Sequence, residues 1–352
     1  MNQFEKLLRE NILNLVPYSS ARTEYSGWDA RYFDANENPY NSPYNRYPDP
    51  LQVELKEKLS AIKGVKPEQI FTGNGSDEVI DLLIRAFCVP GKDNIIMPEP
   101  SYGMYEVCAR VNDINIKKAL LKSDFNLDTQ VILDLVNEKT KLIFICSPNN
   151  PTGNSYAESD ILMILQNFHG IVILDEAYID FAPHNGFMKY LLEYPNLVIL
   201  QTFSKAWGMA GIRLGFAFGD NRLINILNRI KYPYNVSILT QNAALDMLER
   251  KNEMEMWIRS IINQRRFLEE NLGQFSFVQK VYPSDANFLL MKVDDPVELY
   301  NYLESSKLII RNRSKMPLCN GCLRVTVGSE IENKILIDKM LTYQNEINTS
   351  GI

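Results

Sequence analysis

Histidine is almost missing from this 352-residue chain: only His169 and His184 occur, so a Ser-His-Asp or Cys-His mechanism would have to recruit one of them. Cysteine is scarce as well, and five in a chain of this length do not build a disulfide framework. Cys319 and Cys322 stand as C-x-x-C, but a zinc site needs two further ligands and both histidines lie far away in sequence. A thioredoxin-like use would need a different local setting. We read them as two reduced thiols in a loop and at a strand start. No apolar run approaches the roughly 20 residues that span a bilayer. The opening MNQFEKLLRENILNLVPYSSAR does not read as a signal peptide, because Glu5 and Glu10 interrupt any apolar core. Phe4, Leu7, Leu8, Ile12 and Leu15 are spaced for an amphipathic helix instead. Basic residues are in deficit, 37 against 43 acidic, and a formal charge of −6 leaves no positive field for nucleic acid or an anionic membrane. The expectation is a cytoplasmic protein with small-molecule ligands and no metal.

The chain does contain an ordinary globular balance, 45% hydrophobic and 23% charged residues, and enough length for two domains. From about residue 68 to 219, apolar runs alternate with helix-like stretches. The runs are QIFTG (69–73), NIIMP (94–98), KLIFICS (141–147), GIVILDE (170–176), NLVILQT (196–202) and GFAFG (215–219). They lack polar alternation, which suits strands buried on both faces. Between them SDEVIDLLIRAF (76–87), YGMYEVCARV (102–111) and ESDILMILQNF (158–168) read as helices. The alternation predicts an α/β fold with a mostly parallel central sheet flanked by helices. Beyond 219 the pattern changes: 238–272 reads as one long helix or two joined ones. Strand candidates at 286–293, 308–314 and 322–328, with helices at 296–306 and 330–347, then suggest a smaller α/β domain. The expected division is an arm at 1–44, a large domain at 45–245 and a small one at 246–352. The arm includes the turn-dense DANENPYNSPYNRYPDP (34–50) in part.

Several apolar runs end in polar groups: LIFIC leads into SPNNPTG, IVIL into DEAY, and LVIL into TFSK. Ligands of open parallel sheets bind outside the carboxyl ends of the strands. Asn150, Asp175, Tyr178 and Lys205 therefore converge on one crevice. Taken singly, Asn-Pro-Thr-Gly is also a good turn and Asp175 a plausible helix cap. TGNGSDEV (72–79) opens a helix whose backbone N–H groups, with Ser76, could cradle a phosphate. Glu78 stands where a dinucleotide fingerprint needs its third glycine, and there is no P-loop. What remains is a single phosphate site, to which Thr202, Ser204 and Arg213 could contribute. One cofactor needs this whole set: pyridoxal 5'-phosphate offers an aldehyde to a lysine, a ring nitrogen to a carboxylate, a phenolic oxygen to Asn and Tyr, and a phosphate to Arg and helix-end amides. On this reading Lys205 bonds the aldehyde and Arg213 clamps the phosphate.

SPNNPTG, LDEAY, SKAWGMAGIRLGF and CLRVTVG also resemble the class I/II aminotransferases of the aspartate aminotransferase fold, fold type I. VPYSSAR, DANENPY, RYPDP, GNGSDEVIDLLIRAF, EPSYGMY and IIRNRS narrow the resemblance to the histidinol-phosphate aminotransferases, over residues 12 to 344. The resemblance implies transamination between L-histidinol phosphate and 2-oxoglutarate, giving imidazole acetol phosphate and L-glutamate. It implies that Lys205 is bonded to the cofactor, that Asp175 pairs with the ring nitrogen, and that Asn150 and Tyr178 bind the phenolic oxygen. Tyr102 would stack on the ring, although a core aromatic is an equal reading from chemistry alone. Ser76, Asp77, Thr202, Ser204 and Arg213 would surround the phosphate. Tyr47 would reach it from a neighbouring subunit, which implies a homodimer; a turn tyrosine making local contacts is the alternative. Substrate would meet Arg324 and Arg311, with Tyr18 and Asn36 nearby, and a structural ion pair is the alternative for Arg311. Trp207 and Met209 make the lysine loop bulkier than a minimal turn, and we expect packing from them. The rivals are an aromatic aminotransferase or a threonine-phosphate decarboxylase of the same fold, and a non-catalytic binding protein on this scaffold. A nicotinamide-dependent dehydrogenase is disfavoured by the missing glycine.

Overall fold

A computed structural model of the chain describes residues 4–18 and 31–350. Its first seven strands are β1 (Ile70–Gly73), β2 (Asn94–Glu99), β3 (Asn115–Leu120), β4 (Thr140–Cys146), β5 (Ile171–Asp175), β6 (Leu197–Thr202) and β7 (Gly215–Phe218). They form one sheet in the order β1-β7-β6-β5-β4-β2-β3. Pairing is parallel from β3 through β2, β4 and β5 to β6, and antiparallel only where β7 sits between β6 and β1. The expected mostly parallel sheet is present.

The absence of alternation in the apolar runs has a direct physical counterpart. Along β4, Ile143 and Ile145 enter one hydrophobic core while Leu142, Phe144 and Cys146 enter another on the opposite face. β5 and β6 repeat the arrangement, with Val172, Leu174, Leu197 and Ile199 on the first face and Ile171, Ile173, Val198 and Leu200 on the second. A side chain of this size taken out of water contributes about 1.5–3 kcal/mol, so slipping a central strand by one residue has no gain to offset its cost. Helices cover both faces. In chain order they are α1 (Glu10–Leu13), α2 (Val53–Lys63), α3 (Ser76–Phe87), α4 (Met104–Val111), α5 (Thr129–Asp134), α6 (Glu158–Asn167), α7 (Asn221–Ile230) and α8 (Ile238–Glu249).

The segment expected as one helix or two is two, α8 and α9 (Lys251–Leu272), meeting at Arg250. A four-stranded antiparallel sheet follows in the order β10-β11-β9-β8, built from β8 (Val278–Tyr282), β9 (Phe288–Val293), β10 (Arg311–Asn312) and β11 (Cys322–Thr326). α10 (Pro296–Ser305) and α11 (Glu330–Ser350) pack on it around a third core that includes Leu289, Met291, Leu323 and Met340. α9 joins the two regions, contributing Met254 to the large sheet's core and Leu268 and Leu272 to the small one.

Three elements differ from the sequence reading. The amphipathic N-terminal helix is reduced to the four residues of α1, although Phe4 is fully buried with Leu7 and Leu8 packed beside it. β3 went unread because it is an edge strand with one buried residue, Ala119, and two lysines, a composition that protects a sheet edge from further pairing. β8 is likewise an edge strand with no buried residue. Trp207 packs as expected, buried and stacked on Phe203 with ring centroids 4.7 Å apart.

Candidate active site

The carboxyl ends of β4, β5 and β6 open into a cavity lined by Ser76, Asp77, Tyr102, Asp175, Tyr178, Thr202, Ser204, Lys205 and Arg213, among others. Parallel register brings the strand ends together: Cys146 pairs with Asp175, and Asp175 with Leu200, two residues before Thr202. Side chains from three separate strand ends thus share one floor.

Asp175 is buried where solvent cannot stabilise its charge, and burial raises its pKa from 3.8 to about 6. Two donors oppose that rise: the Tyr105 hydroxyl donates to Oδ2 at 2.7 Å and the Ala177 N–H to Oδ1 at 3.1 Å. The carboxylate is therefore charged near neutral pH and aimed into the cavity, ready for a cationic N–H. Lys205 is partly buried. Burial lowers its pKa most, Arg324 and Arg213 push the same way, and Asp175 and Asp77 oppose them. Its Nζ lies 5.4 Å from the centre of the Tyr178 ring.

The opposite wall is built for an anion. α3 begins at Ser76, directly after Gly75 at φ 81°, and its first two residues, Ser76 and Asp77, line the cavity, where a helix start can meet an anion. A Cβ at Gly75 would lie 2.7 Å from Arg213 Nη2, and one at Gly215 would lie 2.2 Å from the Ser76 nitrogen. These two glycines let β7, Arg213 and the helix start close on one another. Arg213 reaches Ser204 Oγ at 3.4 Å and Asp77 Oδ2 at 3.4 Å. Thr202 Oγ1 donates to the Leu214 carbonyl and accepts the Ser204 N–H, both at 3.1 Å, which fixes the loop ahead of Lys205. Asp77 does more with its side chain than its position at a helix start suggests, accepting from the Tyr102 hydroxyl at 3.1 Å while pairing with Arg213.

A second lobe opens from the other side of Lys205, lined by Tyr102, Asn150, Tyr178, Arg311, Arg313 and Arg324, among others. Asn150 Nδ2 donates to the Tyr178 hydroxyl at 3.3 Å, and Arg324 Nη1 donates to Asn150 Oδ1 at 2.5 Å. Arg311 and Arg324 are cross-strand partners on β10 and β11. Cys319 and Cys322 are free and buried behind this strand pair, Cys322 opening β11.

Three expected residues stand elsewhere in this chain. Tyr18 is exposed and does not line either lobe. Asn36 and Tyr47 border a different cavity together with Tyr234, on which Tyr47 stacks at 4.4 Å. Part of the VPYSSAR run (residues 19–22) lies outside the described residues. Two residues of the site escaped the sequence reading. Tyr105 lies in the first turn of α4, three residues after Tyr102, whose ring it meets edge to face with centroids 5.5 Å apart. Arg313 follows β10 directly, and no strand spacing marks it.

The model of the family "Aminotransferase class I and II" matches residues 34–340. The chain belongs to that family. It is 54% identical over 345 residues to a histidinol-phosphate aminotransferase of Bacteroides thetaiotaomicron, covering 98% of this chain and all of that one. The solved histidinol-phosphate aminotransferase of Clostridium acetobutylicum shares the fold with a TM-score of 0.79 at 24% identity, over 86% of this chain and 92% of that one. That of Sinorhizobium meliloti, solved in complex with pyridoxal-5'-phosphate, has a TM-score of 0.79 at 22% identity, over 86% and 83%. The aspartate aminotransferase-like, fold type I assignment follows. Members of the family depend on pyridoxal phosphate. The donor set here fits that group: a buried carboxylate, an amine of lowered pKa, and an anion cup of helix N–H groups, hydroxyls and Arg213 around one cavity.

Proposed function

We propose that this chain transfers an amino group between L-histidinol phosphate and 2-oxoglutarate, giving imidazole acetol phosphate and L-glutamate, as a step of histidine biosynthesis. The observation that carries the reading is the placement of Arg311 and Arg324. They stand side by side in the lobe that opens from Lys205, and neither is ion-paired with an acid among the described residues. An amine and a phosphate separated by a short linker would find a reactive group and an anion site in one continuous space. The names of the relatives, at about half identity over nearly the whole chain, support the same choice.

Bound pyridoxal phosphate supplies an aldehyde that holds the amine and a protonated ring that accepts the electron pair freed at the α-carbon. The rest falls to the protein. Lys205 is the residue we assign to the covalent bond with the cofactor; once the substrate's amino group has displaced it, its freed Nζ would take the α-carbon proton and pass it on to the cofactor. Lowering of its pKa leaves more of the amine in the basic form near neutral pH. Asp175 pairs with the ring N–H and keeps it protonated. Asn150 and Tyr178 are assigned to the phenolic oxygen, and Tyr102 to the ring face. Ser76 and Asp77, largely through backbone N–H groups, with Thr202, Ser204 and Arg213, hold the phosphate. Arg324 and Arg311 receive the substrate anion.

Tyr47 belongs to this proposal as a residue completing the site of a neighbouring copy, and Tyr18 and Asn36 as residues near the substrate. The location of Tyr47 outside the Lys205 cavity of its own chain is consistent with a homodimer with shared sites. The division at 45–245 and 246–352 and a cytoplasmic location belong to the same reading, the latter supported by five free cysteines. The test is a side-by-side assay with histidinol phosphate, phenylalanine and threonine phosphate. Preferred oxoacid formation from phenylalanine, or carbon dioxide release from threonine phosphate, would replace the reading.

A further inference from the structure

We propose that Arg313 is a third cation of the substrate lobe, and that it makes the lobe select a phosphate dianion over a carboxylate; this rests on the transaminase reading above. Arg313 lines the same space as Lys205, Arg311 and Arg324. Its backbone N–H donates to the Cys322 carbonyl at 2.9 Å, and the Met316 N–H donates back to its own carbonyl at 2.9 Å. The residue is therefore held against β11 although β10 has already ended. The Nε of Arg313 and the Nε of Arg324 are both buried and without a hydrogen-bond partner. Among the described residues none of the three guanidinium groups has an acidic partner. After burial, the strongest influence on Arg313 is Arg311, and on Arg324 it is Arg313.

Three like charges gathered without a counter-ion, two of them with buried unpaired N–H groups, are unfavourable for the empty protein. The arrangement becomes favourable when an anion enters with enough charge and enough acceptor atoms to meet all three. A carboxylate brings one charge and two oxygens, which one guanidinium fork satisfies. A phosphate monoester brings a charge of nearly −2 near neutral pH and three acceptor oxygens. Arg311 and Arg324 suffice for the first kind of ligand; the third arginine is matched only by the second.

The test is calorimetric titration of the cofactor-loaded protein, whose own phosphate cup is filled, with inorganic phosphate and separately with acetate. In Arg313→Gln, phosphate binding should weaken on the order of tenfold or more and acetate binding by less than about threefold. Arg313→Lys, which keeps a charge but loses the fork, should fall between. Equal losses for the two anions, unchanged phosphate binding, or a wild-type protein that binds phosphate no better than acetate would overturn the proposal. Should the glutamine variant fail to fold, the lysine variant carries the comparison on the same terms. Wild-type turnover of histidinol phosphate, measured alongside, reports on the transaminase reading separately. A protein that binds phosphate through Arg313 but does not turn over that substrate leaves the anion site standing and removes the substrate.

Discussion

Tyr105 donates its hydroxyl proton to Asp175 across 2.7 Å, the tyrosine fully buried and the carboxylate nearly so at the floor of the cavity. The Tyr105 ring is itself stacked on Phe144 of β4 at 4.9 Å, so the phenol cannot swing away. The hydrogen bond favours the charged carboxylate against the cost of its burial. Tyr105→Phe removes that support without emptying the core. Pyridoxal phosphate affinity should fall roughly 10- to 100-fold, the worth of a hydrogen bond to a charged group. The loss should be larger at pH 6.5 than at pH 8.5, because Asp175 would then protonate at higher pH. An equal loss at both values in a cofactor titration would show that Tyr105 acts only through packing.

The same burial makes Asp175 a liability for the cofactor-free protein. Its folded pKa, about 6, lies above the ordinary 3.8. Such a carboxyl favours the folded state below the unfolded value, and that contribution is lost as pH rises through about 6. Adjacent Glu176, raised from 4.5 to about 7 by burial, acts in the same direction. Asp175→Asn should therefore stabilise the apoprotein at pH 8, by up to a few kcal/mol, while leaving it unchanged near pH 4. It should at the same time weaken cofactor retention. Denaturant midpoints at the two pH values check the first claim, and a variant less stable than wild type at pH 8 would contradict it.

Lys205→Ala removes the group assigned to the covalent bond and to proton transfer. The visible absorption of lysine-bound cofactor should vanish. Turnover should drop by at least roughly 10²–10⁴-fold, the usual range for a lost general acid–base group. Cofactor should still bind non-covalently through the Asp175 and Arg213 ends. Retained turnover, or a retained absorption band, would take the role away from Lys205.

Gly215→Ala tests the contact between β7 and the start of α3. The added methyl would meet backbone atoms of Gly75 and Ser76 rather than a movable side chain. Overpacking of this kind costs about 1–3 kcal/mol, and here it also pushes the helix N–H groups out of line with the anion cup. A lower denaturant midpoint together with weaker cofactor binding is expected. A midpoint shift with cofactor binding intact would separate the contact from the site.

Much of this was readable from the order of residues because the central strands are buried on both faces. Runs such as IVIL and LVIL suit a strand covered on both faces, and their polar endings, Asp175 and Thr202, fall where an open sheet places ligands. Edge strands gave no such signal. β3 and β8 carry mixed side chains because one side meets water, so their periodicity is blurred. Tyr105 was hidden for a different reason. A tyrosine in an apolar helix reads as core, and only the three-dimensional approach of α4 to the end of β5 reveals its polar end at work. Arg313 lies just past the end of β10, where strand spacing has lost its authority.

Asn150 is gripped from two directions: its amide nitrogen faces Tyr178, and its amide oxygen is taken by Arg324 from the neighbouring small sheet. An arriving anion that turns the Arg324 guanidinium toward itself must loosen that oxygen, and a departing one lets it return. One amide thereby ties Tyr178, which borders the Lys205 cavity, to the arginine that the anion would meet.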